Sequence, residues 1–186
     1  MKEIKHILNV LRQTKKAVKE NDSIRLKELS NQTIHSASVY QDMQSILIAI
    51  IIYSLSKILE RRYYQKLPGW NIFFNSYMKD IDRAIIFLEK DNVKKFELTL
   101  KDIIKTISRL KGDLKENIKD VFKKARINKA SKIYEHGLSL EKTAKLLGIS
   151  MWELSEYAGQ KRIHDINLNI TMPEKERIKL ALNFLK

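Results

Sequence analysis

Cysteine is missing from all 186 residues. That removes disulfides, thiolate zinc sites, iron–sulfur clusters and a thiol nucleophile together, and it fits a reducing cytoplasm. Proline occurs twice and glycine five times, so turns are few and the elements they join must be long. There is no glycine-rich phosphate loop, no Gly-x-Ser-x-Gly, and no Arg followed four to six residues later by His. The four histidines, His6, His35, His136 and His164, lie far apart and form no i, i+4 pair with one another. Neither a metal nor any other cofactor is therefore expected, and the chain reads as noncatalytic. The N-terminus enters a charged helical pattern without an apolar signal core, so the expected location is the cytoplasm.

What is abundant is positive charge and helical periodicity. Lys and Arg number 36 against 22 Asp and Glu, a formal net charge of +14. The excess is spread along the chain. It predicts a polyanionic partner held by counterion release, DNA in preference to RNA, without marking one sharply bounded site. Apolar residues, 44% of the chain, recur at three and four, which predicts a mainly α fold. Residues 2–19 carry Ile4, Ile7, Leu8, Leu11 and Val18 on one stripe, and Asn21-Asp22-Ser23 stops that helix and caps the next, from Ile24 to about His35. The polar run Thr33 to Asp42 then reads as a loop whose hydroxyls and carboxylate cap the third helix. Within it, His35 with Asp42 is the single pair worth inspecting for an enzyme site.

Residues 43–64 hold Ile46 through Tyr53, then Leu55, Ile58 and Leu59, apolar all round. This run is shorter than the roughly 20 apolar residues a bilayer span needs, so it predicts a buried central helix and no membrane association. Pro68-Gly69 marks a turn, and a helix rich in Trp70, Phe73, Tyr77, Ile81 and Ile85 comes next. Phe96, Leu100, Ile103, Ile107, Leu110 and Leu114 then form a heptad seam. Because the seam runs through Gly112-Asp113, a continuous or kinked helix competes there with a tight turn. Residues 93–126 are the densest in Lys, a face suited to an RNA- or ribosome-associated helical factor as the alternative function. Trp70 and Trp152 are both expected to be core anchors.

Residues 130–162 carry the most specific pattern. Gly137 suits a helix stop, Ser139 a cap, Ala144 a close helix contact and Gly148 a tight turn. Ile149, Leu154 and Tyr157 complete an apolar core spacing. Ala144, Gly148 four later, and apolar residues six and nine after that glycine form the steric skeleton of a helix-turn-helix. The expected division is a helical bundle over 1–126, a helix-turn-helix over 127–163 and a strand-helix element over 164–186. The last rests on alternation in 166–171 and on Pro173 at a helix start. A lone strand must pair, so a homodimer through 166–171 is expected.

Ala130, Tyr134, Gly137, Ser139, Leu140, Ala144, Gly148, Ile149, Ser150, Trp152, Glu153 and Leu154 together resemble the small antitoxin-like family of archaea and cyanobacteria related to VapB-type antitoxins. Those proteins pair with PIN-domain nucleases. The resemblance implies DNA-associated regulation or neutralisation of a nuclease toxin, without a catalytic centre. It covers 130–163 only. The second helix would present Ser150, Met151, Glu153, Ser155 and Glu156 to a partner, with no Arg or Gln placed for bidentate base readout. Basic and amide side chains flank it: Lys123, Lys124, Arg126, Lys129 and Lys132 before, Gln160, Lys161 and Arg162 after. Asn167 and Asn169 would share one face of the terminal strand.

Overall fold

The computed structural model describes residues 4–40 and 43–165. Among these, every regular element is helical: α1 (Ile4–Lys19), α2 (Ser23–Tyr40), α3 (Met43–Glu60), a 3-10 turn (Arg62–Lys66), α4 (Trp70–Glu89), α5 (Val93–Ser108), α6 (Gly112–Glu135), α7 (Leu140–Leu147) and α8 (Met151–Asp165). The strand and dimer joint expected at 166–171 lie outside the described residues.

The long apolar run forms the centre, as its all-round composition predicts. Helix α3 packs against α2, α5 and α6, and Ile48, Ile51, Ile52, Leu55 and Ile58 are fully enclosed. Among the described residues it is the one helix long and apolar enough to cross a bilayer, and 67% of it is buried inside the bundle. Two hydroxyls from neighbouring helices donate to its backbone: Ser30 Oγ to the Ala49 carbonyl at 2.6 Å and Tyr77 Oη to the Ile51 carbonyl at 2.9 Å. Both donors are buried, so each would cost about 1–3 kcal/mol if left unpaired.

The turns α1–α2 and α4–α5 are built alike. Asn21 and Asp91 each adopt a left-handed backbone, with φ of 53° and 52°. The next residue then caps the following helix: Asp22 Oδ1 accepts from the Arg25 amide at 2.8 Å, and Asn92 Oδ1 from the Lys95 amide at 3.1 Å. Such caps contribute about 1 kcal/mol each. Within the expected stop-and-cap run Asn21-Asp22-Ser23, the cap of α2 is therefore Asp22.

Several boundaries differ from expectation. The polar run after Thr33 is not a loop: α2 continues to Tyr40, because Thr33 turns its hydroxyl back onto the Leu29 carbonyl at 2.8 Å and so satisfies itself within the helix. The heptad seam is interrupted. Helix α5 stops at Ser108 and α6 starts at Gly112, which takes φ 57°, so Leu114 joins the core from a new helix. Helix α3 ends at Glu60, before the expected Tyr64. The boundary expected at 126/127 falls inside α6. Nothing between Ala125 and Asn128 breaks a helix, and the buried stripe Val121, Phe122, Ala125, Lys129, Ala130, Ile133 runs straight across it. One core consequently includes Ala144, Leu147 and Leu154 along with the bundle.

Candidate nucleic-acid interface

The unit after α6 starts with a cap. Ser139 Oγ accepts from the Lys142 amide at 3.2 Å and opens α7. At the far end Gly148 takes the left-handed conformation (φ 61°, ψ 39°), and the amides of Gly148 and Ile149 both close on the Ala144 carbonyl. A side chain at this φ would be strained, which is why glycine stands here. The turn then leads into α8. Ala144, Leu147 and Leu154 are buried, Ile149 and Tyr157 half-buried, and Tyr157 Oη accepts from Asn128 Nδ2 of α6 at 2.9 Å. These contacts anchor α8 on the bundle through one side and leave its first turn facing outward.

At that first turn Ser150 and Glu153 close a reciprocal cap. The Glu153 amide donates to Ser150 Oγ at 3.1 Å, and Glu153 Oε2 accepts from the Ser150 amide at 3.1 Å and its hydroxyl at 2.9 Å. The other carboxylate oxygen meets Lys123 Nζ at 2.8 Å. The Lys123 ammonium, then the two Ser150 donors, hold the Glu153 carboxyl down at about 2, and Glu153 in turn raises Lys123. Glu153 is therefore neutralised within the protein, and Ser150 has its hydroxyl committed on both sides. Ser150, expected to contact a partner, is a helix cap.

The outward residues are Met151, 52% exposed, Trp152, 76% exposed, Ser155 and Glu156. Trp152 is thus not the core anchor expected, because its position faces away from the side carrying Leu154; Trp70, 7% exposed, is. Two exposed cations on α7, Lys142 and Lys145, line a hollow with His136, Gly137, Ser139 and Glu141 and were missed by sequence reasoning. The signal was there: in the 3.6 period they fall opposite Ala144 and Leu147.

The flanking basic residues separate. Lys123 and Lys124 are exposed on α6, Lys123 tied to Glu153 and Lys124 to Asp120 at 2.8 Å. They border a cleft of about 600 Å³ between α3, α6 and α8, which also holds Tyr53, Arg61 and Tyr157. Burial first, then the Tyr157 and Glu60 charges, raises the Tyr53 phenol. Arg126, one turn on from Lys123 and near enough to repel it, lines a second groove beside Leu147, and Lys132 is half-buried. The side chains of Gln160, Lys161 and Arg162, and the whole of Asn167 and Asn169, lie outside the described residues.

Lys129 corrects the sequence reading most sharply. It is 0% exposed, so it cannot hold a phosphate. Its Nζ donates to Asn31 Oδ1 at 3.0 Å and sits 4.2 Å from the centre of the Tyr53 ring. Burial, reinforced by Lys132 and Lys27, pushes the amine down to about 7. Of the pair marked for an enzyme site, Asp42 lies outside the described residues, and the His35 ring meets that of His136 edge-on at 5.1 Å. Among the described residues no three His, Cys, Asp or Glu side chains gather as metal ligands. Compared with known protein families, curated proteins and solved structures, the chain matches none.

Proposed function

We propose that α7, the Gly148 turn and α8 act as a DNA-binding helix-turn-helix, and that the chain is a noncatalytic regulator. The observation that carries this reading is the first turn of α8. Met151, Trp152 and Ser155 face solvent on a helix whose opposite side is fixed by Leu154 and Tyr157, and of the two acids on that surface, Glu153 and Glu156, the first is already neutralised by Lys123. In this motif the second helix enters the major groove by its early residues while the first crosses the backbone, a role suited to Lys142 and Lys145. Met151 and Trp152 offer apolar contact to thymine methyl groups, and Ser155 a hydroxyl to base edges. The +14 charge supplies sequence-independent attraction.

The same exposed Met151-Trp152 pair supports a second reading, in which the unit anchors a protein, by resemblance a nuclease toxin. Fluorescence anisotropy with duplex DNA from upstream of its own reading frame separates the two. DNA binding predicts a linear fall of log K with log salt, with a slope reduced by roughly 1.8 in the K142Q/K145Q variant at about 0.9 per phosphate contact. An unchanged slope, or no binding at 50 mM salt on the order of the micromolar range, contradicts it. Tighter binding to single-stranded RNA than to duplex would shift the assignment to the Lys-rich face of 94–126. A homodimer through 166–171 belongs to this proposal, and sedimentation equilibrium of the full chain against one ending at residue 165 tests it.

A further inference from the structure

On the side of α6 away from α8 lies a groove of about 390 Å³, within the usual range for small-molecule sites. Its walls are Leu47 and Ile50 of α3, Ile104 and Ile107 of α5, Phe122 of α6 and Leu147 of α7. Ile107, Phe122 and Leu147 are core residues that each keep 6–8% exposure, and Ile104 at the mouth keeps 39%. Lys115, Lys119 and Arg126 rise along the α6 stripe that passes through Phe122, and among the described residues no carboxylate lines the groove. Lys119 makes only a loose approach to Glu116, at 4.0 Å with both side chains well exposed. Lys115 and Arg126 make no ion pair among the described residues. An apolar trough bordered by cations of one sign matches a molecule with an apolar body and one anionic head. A cationic amphiphile is repelled there, and among the described residues Lys115 and Arg126 have no acid to satisfy them.

We infer that this groove binds a small amphipathic anion, a carboxylate, sulfonate or phosphate on an apolar body, and that occupation is transmitted to α7 through Leu147. Leu147 is the last residue of α7, and Gly148 immediately after it fixes the direction in which α8 departs. A ligand that packs on Leu147 in one arrangement of that turn and not in another shifts the balance between them. The regulatory meaning of this shift rests on the DNA-binding reading, but the site and its transmission are tested without DNA.

The probe is decanoate, titrated into the full chain by calorimetry below its micelle-forming concentration, with decyltrimethylammonium as the same tail bearing the opposite charge. Saturable binding of one decanoate per chain is expected, with no matching affinity for the cation. The K115Q/K119Q/R126Q variant should bind about tenfold or more weakly, since charge-assisted hydrogen bonds are lost. Ile104→Trp, filling the mouth, should abolish binding while leaving circular dichroism and the unfolding midpoint unchanged. With decanoate bound, amide exchange at 144–149 should slow. Absence of saturable binding, equal affinity for the cation, or full affinity in both variants overturns the site. Saturation without altered exchange at 144–149 overturns the transmission. Loss of DNA binding in a separate assay would leave each of these results intact.

Discussion

The two openings beside α6 are made by one helix with similar residue types, yet they differ in what they leave available. In the cleft toward α8 each lysine has an acid: Lys123 meets Glu153 and Lys124 meets Asp120, both at 2.8 Å. In the groove toward α5 the cations Lys115 and Arg126 stand without an acid among the described residues, above an apolar floor. Net charge alone predicts the same anion affinity for both. A cation therefore counts toward binding only after its internal partners are subtracted. The cleft serves to fix α8, and the groove remains open to a ligand. Lys129, facing inward from the same helix, supplies the third case, a buried amine whose partners are the Asn31 amide oxygen and the Tyr53 ring.

The largest effect should come from that third environment. Replacing Lys129 by Met removes an amine whose folded value is about 7 against about 10.4 in the unfolded chain. Because the unfolded state binds the proton more readily between those values, the wild type carries its full penalty below pH 7 and sheds it as pH rises toward 10.4. K129M should thus gain on the order of 2–4 kcal/mol at pH 7, with the gap closing by pH 10, as read from denaturant unfolding. A destabilised variant at pH 7, or a gap independent of pH, would show that Asn31 and Tyr53 outweigh the burial.

Opening the cleft should have a smaller effect. Ser150→Ala removes the cap of α8 and should cost about 1 kcal/mol. It should also let the Glu153 carboxyl rise from about 2, measurable by NMR titration. The depressed value means that the pairing with Lys123 is present above the ordinary carboxylate range and is lost only as pH falls toward 2. Glu153→Gln frees Lys123 and makes the cleft resemble the groove. Affinity for duplex DNA should then rise, with a salt slope steeper by about 0.9; an unchanged slope would mean that Lys123 never faces a phosphate. The smallest effect is on stability in Trp152→Ala, expected within about 0.5 kcal/mol because the indole is 76% exposed. A loss of several kcal/mol would place that ring in a contact that its exposure denies.

Helical periodicity carried the architecture well. Among the described residues the succession of helices, the central burial of Ile46 to Leu59 and the Gly148 stop all derive from apolar spacing and the few glycines. Two kinds of error have physical causes. Local polarity misled at Thr33 to Tyr40, since the back-bonded Thr33 hydroxyl is satisfied within the helix, and at Leu110 to Leu114, where the seam kept its period across a real turn. Tertiary pairing was invisible: nothing in the spacing says that Lys129 faces Tyr53, that His35 meets His136, or that Glu153 is matched by Lys123. At the candidate interface, the exposed positions Met151 and Ser155 were legible from the motif. Trp152 was misjudged because large aromatics are usually buried, and Lys142 and Lys145 were passed over though their period places them outward.

Whether the first turn of α8 reads duplex DNA decides the function proposed for the whole chain. Selection from a random duplex library by the full chain, with M151A/W152A/S155A run in parallel, tests it at the bases themselves. The wild type should enrich one short motif, and the triple variant should retain DNA with the same salt dependence but enrich none. Enrichment of the same motif by both proteins, or of none by the wild type, would contradict base reading by α8.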